Sequence, residues 1–270
     1  MRSALTNFHR HVTLLGSYFT QYAKVRVSYR GDFFISAATS MAATIFSLAF
    51  VLILFARIPR LSSWRMEEVL FLYGFSLIPF GLFNVFSLNL YEFGATYIME
   101  GKFDRVLLRP LSSLFQVLFE TFRIESLQEV VVGLVVVAWA SLRLHYEWHI
   151  EDIALLALFA LCGGLIYISV FLFLSTFSFF FEDRIGIHPP FWNLLAFGRY
   201  PLSIYSGYIQ FLLSWIIPFG FATFYPATRL LGRPEFRLYA PLIPLVSLAT
   251  FALAATSWRF GLRRYSSTGS

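Results

Sequence analysis

The stretch His145-Tyr146-Glu147-Trp148-His149-Ile150-Glu151-Asp152 sets two histidines four residues apart among three carboxylates. On a helix the two imidazoles would share a face and, with a carboxylate, could ligate zinc. In a loop at a membrane surface, Tyr146 and Trp148 are instead amphipathic rings of an interfacial belt. The loop is the expected reading, and no metal site is expected. Glu125 and Glu129 stand one helical turn apart with Gln128 beside them. Carboxylates inside a bilayer face a bundle interior or an aqueous cavity. These three residues therefore line a pathway at the inner leaflet, pairing with Arg30 or Arg123, unless their helix begins late and leaves them in interfacial water. Gly101-Lys102 is the one Gly-Lys pair, but Thr96 stands where a phosphate-binding loop needs its first glycine and Phe103 follows the lysine. The pattern that cradles nucleotide phosphates is thus missing, and neither a serine-nucleophile elbow nor a paired-cysteine metal motif appears. No catalytic residue and no cofactor bound by this chain are expected.

The elements that must position these residues are set by composition. Of 270 residues, 58% are hydrophobic, 20% aromatic and 13% charged, with mean hydropathy +0.68. A water-solvated domain carries about 25% charged residues, so lipid is the solvent here. Five uncharged stretches have the roughly 20 residues a transmembrane helix needs: Phe33–Ala56, Val69–Tyr91, Ile153–Phe181, Tyr200–Thr228 and Leu238–Trp258. A sixth is predicted as one long helix over Leu114–Leu142, entering the bilayer through Glu120, Arg123, Glu125 and Glu129. The fold class is therefore an all-α membrane protein of six transmembrane helices in a single domain, residues 1–270, with a bundle over 33–260 and a tail over 261–270.

Residues 1–32 carry five basic side chains, while Leu15, Tyr18, Tyr22, Val25 and Tyr29 recur at helical spacing, which predicts an amphipathic interface helix. The first apolar run, from Phe33, is longer than a signal-peptide core and is expected to stay as an anchor. The lone Cys162 leaves no intrachain disulfide to form. Pro189, Pro190, Pro201, Pro218 and Pro226 break the segment from 185 to 228, predicting one crossing plus short half-inserted helices near the outer surface before the last span. With both termini cytoplasmic, thirteen basic residues fall inside, Arg184 and Arg199 among them, and seven outside, which satisfies the positive-inside rule.

Between the second and third spans, Met99, Phe103, Val106, Leu107 and Pro110 recur at helical spacing, with Lys102, Arg105 and Arg109 largely elsewhere. A short amphipathic cytoplasmic helix over 99–109, stopped by Pro110, is predicted. The run Glu100-Gly101-Lys102-Phe103-Asp104 followed by Leu107-Leu108-Arg109-Pro110-Leu111-Ser112 resembles the loop of type-2 ABC exporter permeases, which carry Glu-Gly-Thr-hydrophobic-Glu, Leu-Leu and Ser-Pro-hydrophobic-Ser there. Lys102 replaces the threonine, Asp104 the glutamate and Arg109 the residue before proline, as in a subgroup with a Leu-Leu-Arg-Pro-Leu signature. Arg199-Tyr200-Pro201-Leu202, Ile217-Pro218 and Tyr225-Pro226-Ala227 are similar to that family's proline-punctuated stretch before its last span.

The resemblance implies a permease subunit in a bacterial plasma (inner) membrane. It implies pairing with a second, identical or related permease and with two ATPase subunits that bind ATP and Mg. Residues 99–109 would be the coupling helix on the ATPase, with membrane lipid as the other partner and no nucleic acid. An integral membrane enzyme would need a denser polar cluster. An ion-coupled secondary transporter would show an inverted repeat, and neither is visible.

Overall fold

In a hydrocarbon solvent every backbone amide must find its partner within the chain, so the apolar stretches fold as helices. The computed structural model describes residues 16, 20, 30–181 and 187–267. Helix α1 spans Arg30–Arg57 and α2 Met66–Ser87. A π-helical turn, Gly94–Met99, prolongs α2 toward α3, Lys102–Leu107. Then come α4 (Ser113–Phe119), α5 (Leu127–Arg143), α6 (Ile150–Thr176) and α7 (His188–Leu194), the last continuing as a 3₁₀ turn through Arg199. The chain closes with α8 (Gly207–Ile216), α9 (Phe219–Leu230) and α10 (Leu242–Leu262). The expected interface helix over 1–32 lies almost wholly outside the described residues.

Helix α2 is buried nearly all round and forms the axis of the bundle. Glycines let its neighbours approach to backbone contact. A Cβ on Gly133 of α5 would lie 2.6 Å from the Gly74 carbonyl oxygen of α2. On α6, a Cβ on Gly163 would lie 2.5 Å from the Ala222 carbonyl oxygen and 2.9 Å from Pro79.

Two ends of the bundle are defined by aromatic clusters. At one, Trp64 follows α1, and Trp148, following α5, stacks on Phe71 near the start of α2. At the other, Phe103 meets Phe93, Phe179 after α6, and Trp258 and Tyr265 at the end of α10. Helix α1 begins and α10 ends at the Phe103 end.

Two expected elements come out differently. The single helix predicted over 114–142 is broken at Glu120–Arg123 between α4 and α5. Polar groups of the preceding span satisfy the exposed backbone: Asn89 Nδ2 donates to the Val117 carbonyl at 3.1 Å, and the Arg123 amide donates to the Val85 carbonyl at 3.1 Å. The charged residues thus sit at a break rather than inside a continuous helix.

The fifth crossing is also displaced from Tyr200–Thr228. His188 lies against Tyr91 and Phe171, Trp192 against Phe80 and Phe83, and Arg199 over Phe80 and Tyr73. Ser203 then accepts a hydrogen bond from Trp64 Nε1 at 2.9 Å. The chain therefore climbs from the Phe103 end to the Trp64 end through residues 188–203. One α, one 3₁₀ and one extended stretch of those lengths rise about 30 Å, a full hydrocarbon thickness.

Helices α8 and α9, bent by 72° at Ile217-Pro218, start beside Ser203 and return to Trp64, which packs on Phe224 at 5.8 Å. Their tip reaches the middle of α6, where Phe219 meets Tyr167 at 5.3 Å. They form a re-entrant pair, the half-inserted helices the prolines predicted. The Thr223 hydroxyl ties the pair to the 3₁₀ turn after α7 by donating to the Gly198 carbonyl at 2.7 Å, and within the pair Ser214 and Tyr225 share a hydrogen bond of 2.8 Å.

Arg233 locks this pair at its mouth. Its guanidinium meets Glu68 at 2.9 Å, donates to the Ser63 carbonyl at 3.1 Å and lies 3.8 Å from the Trp64 ring centroid. Both partners of the ion pair are largely buried, so Arg233→Gln is expected to lose roughly 3 kcal/mol, chiefly by stranding the Glu68 carboxylate. Thermal unfolding in detergent measures this. Arg233→Gln combined with Glu68→Gln should recover part of the loss; a double variant less stable than the single would refute the stranded-charge account.

Candidate functional site

Four hydroxyl residues, Ser36, Ser40, Thr44 and Ser47, recur every three or four positions along α1 and so form one polar stripe within its uncharged stretch Phe33–Ala56. The stripe faces a cavity of about 290 Å³ walled by α1, α2, α5 and the 188–199 segment. Glu129 projects into it. Its carboxylate accepts hydrogen bonds from Asn84 Nδ2 at 2.8 Å and from the Ser40 hydroxyl at 3.2 Å. Trp192 and Phe80 supply apolar wall, and Arg199 closes the side toward the Trp64 end. Ser47 and Arg199 also line a second cavity of about 290 Å³ with Phe50, Tyr73 and Tyr200. Arg199 and Ser47 are therefore the partition between two spaces stacked along α1.

Of the sequence-predicted residues, Glu125 and Glu129 are buried and both line the first cavity. Gln128 lies beside them with its Nε2 buried and without a hydrogen-bond partner. Arg123 does not pair with these carboxylates; it bonds Glu92 at 3.4 Å. Arg199, assigned above to an inner loop, is instead inside the bundle. Sequence reasoning missed both Arg199 and the α1 stripe, although an arginine among apolar residues and hydroxyls at helical spacing were the signals.

The predicted amphipathic helix is shorter than 99–109. Gly101, at φ 68°, makes a left-handed turn that a side chain would strain, and the helix runs only over Lys102–Leu107. Its apolar residues do not share one face. Phe103 and Val106 point inward, Phe103 packing on Phe179 at 5.3 Å and on Tyr265 at 5.0 Å. Met99, Leu107 and Leu108 face outward, Leu108 being 85% exposed. For Met99 the physical reason is that the π-helical turn and Gly101 rotate the register before Phe103; Leu107 and Leu108 stand at the C-terminal end of the short helix.

Neighbouring side chains fix this element in place. Asp104, which stands at the glutamate of the family motif, accepts hydrogen bonds from Tyr265 at 2.9 Å and Ser267 at 2.6 Å, tying down the C-terminal tail. Burial, and then the bond to Asp104, push the Tyr265 phenol up to about 12, which keeps it a donor at any physiological pH. Gln116 Nε2 donates to the carbonyls of Val106 and Leu111, holding the turn that includes Leu108, Arg109 and Pro110. Glu100 and Lys102 pair with each other at 2.7 Å on the surface. Beside them a cleft of about 500 Å³ is lined by Lys102, Arg105, Arg109, Arg123, Glu92 and Glu120.

The His145–Asp152 segment is a loop until α6 starts at Ile150, and His145 has φ 53°. The two histidines are not on a common helix, and no group of metal-ligating residues occurs among the described residues.

The structure thus combines several helices long and apolar enough to cross a membrane with a buried polar cavity between them. Residues 41–269 match the family described as ABC-2 family transporter protein. The chain belongs to that family and is accordingly a membrane-embedded permease of an ABC transporter. No curated protein matches it.

Proposed function

We propose that this chain is the permease of an exporter driven by ATP hydrolysis on separate subunits, two of them serving a pair of permeases. The Phe103 end is cytoplasmic in this reading. Arg199 leaves the inner tally but Arg123 joins it, so the basic bias of thirteen to seven is unchanged. The plasma membrane of a bacterium is the proposed location, with both termini cytoplasmic and ATP and Mg bound on the partner.

The observation that carries the reading is the division of labour in the 99–110 segment. Phe103 ties it to Phe93 beyond α2, Phe179 beyond α6 and Trp258 of α10, with Val106 buried beside it, whereas Leu107 and Leu108 present apolar surface to water. A helix fixed to several spans transmits a push to all of them as a rigid body. Exposed leucines at its tip fit a groove on an ATPase. The stacked cavities against Glu129 and Arg199 are the proposed route for cargo.

Leu108→Asp should therefore fold normally, since the side chain has no buried contact to lose, yet weaken ATPase binding by at least tenfold, because a carboxylate in a dry groove costs a few kcal/mol. Co-purification of the ATPase and vesicle transport, in variants matched for folded yield, test this. Retention of both at wild-type levels would remove Leu108 from the contact.

A further inference from the structure

Two opposite charges share the first cavity without meeting. Glu129 accepts its two hydrogen bonds but, among the described residues, makes no ion pair. Arg199, on the facing wall, rests over the rings of Phe80 at 5.3 Å and Tyr73 at 5.9 Å and likewise makes no ion pair among the described residues. The other charges at the rim are engaged: Arg123 bonds Glu92, and Glu125 has an interaction of its own. Charges at this depth are costly unless compensated.

A third unmet demand lies beside Glu129. Asn84 is 5% exposed, and its Oδ1 has no hydrogen-bond partner. The orientation of that amide is fixed by chemistry, because only its NH₂ group can donate to the Glu129 carboxylate. The cavity thus asks for a donor or cation at one wall and an anion at the other. A lone cation would be opposed by Arg199, and a lone anion by Glu129. At about 290 Å³, the space suits a solute of about ten non-hydrogen atoms, taking a water's share of liquid volume for each.

We propose that this cavity binds a small zwitterion, its ammonium group against Glu129 and Asn84 Oδ1 and its anionic group against Arg199. Trp192 and Phe80 then flank the short carbon chain between the charges. The source is either a free solute or the headgroup of a zwitterionic phospholipid. Treating this ligand as cargo rests on the transport route proposed above; the binding itself does not.

The test is calorimetric titration of the full chain, without any ATPase, in phosphatidylglycerol nanodiscs. The probes are 4-aminobutyrate, n-butylamine and butyrate, which carry both charges, the cation alone and the anion alone. Saturable binding of 4-aminobutyrate is expected, with each single-charge analogue at least tenfold weaker. Glu129→Gln and Arg199→Gln should each lower 4-aminobutyrate affinity at least tenfold, whereas Glu129→Asp should retain most of it.

Repeating the titration in phosphatidylethanolamine nanodiscs identifies the source. A headgroup occupant would depress 4-aminobutyrate affinity at least tenfold, and a free solute would leave it unchanged. Because the analogue comparison uses the unaltered chain, a variant that fails to fold does not spoil it. Absence of saturable 4-aminobutyrate binding in phosphatidylglycerol, or n-butylamine binding equally well, would overturn the proposal. With no ATPase in the assay, either failure leaves the coupling account standing.

Discussion

Phe103→Asp is expected to abolish folded permease rather than merely uncouple it. Phe103 is fully buried among Phe93, Phe179, Trp258 and Tyr265, which come from the α2 extension and the ends of α6 and α10. Truncating such a ring to alanine costs about 3–5 kcal/mol, and a carboxylate in its place adds the cost of burying a charge with no partner. That total rivals the whole stability of a typical domain. Phe103→Leu keeps the apolar contact and should survive with a reduced melting temperature. The measurement is folded yield by size-exclusion chromatography, followed by thermal unfolding of whatever survives. Normal yield of Phe103→Asp would mean that the ring faces outward and that the element is not welded to the bundle.

Gly133→Leu should have a comparable effect by a different route. Even a Cβ at this position would lie 2.6 Å from the Gly74 carbonyl oxygen and 2.9 Å from Ile78 Cγ1. Backbone cannot yield as a flexible side chain can, so α5 must move off α2. Gly133→Ala is expected to cost about 1–3 kcal/mol as an overpacking change, and the leucine more than that. The consequence reaches the cavity, because Glu129 lies one turn before Gly133 on the same helix and bonds Asn84 of α2 at 2.8 Å. In the alanine variant, which should still fold, 4-aminobutyrate affinity is expected to fall with stability. Melting data showing no loss for Gly133→Ala would contradict the close α2–α5 approach.

Four of the five uncharged stretches, all but Tyr200–Thr228, were legible as single spans because a charge-free run of that length satisfies its backbone in lipid as one helix. The fifth crossing was misplaced because it is assembled from unlike pieces. A short helix starting at His188-Pro189-Pro190, a 3₁₀ turn and an extended Tyr200-Pro201 step cross together, and no single period marks them. The re-entrant pair, longer and more apolar, took the crossing's place. The break at Glu120–Arg123 was equally hidden, because it depends on Asn89 and the Val85 carbonyl, which approach from another span.

The candidate site was half visible. Glu125 and Glu129 stood out because carboxylates are expensive in a bilayer. Arg199 was miscounted as a loop residue once the crossing was misplaced. Periodicity showed that Phe103 and Leu107 were apolar, but which neighbours covered them depended on Gly101 turning left-handed and on α10 arriving from the far end of the chain.

The most direct test of the central claim, that the Phe103-anchored segment couples this permease to an ATPase at the cytoplasmic face, is site-directed photocrosslinking in native membranes. A photoreactive residue replaces Leu108 in one variant and Ile150 in another; both positions are 85% exposed and lie at opposite ends of the bundle. The account predicts that Leu108 captures a subunit carrying a nucleotide-binding phosphate loop, identified by mass spectrometry, and that Ile150 does not. Lipid adducts alone at Leu108, or capture of the same ATPase from Ile150, would contradict it.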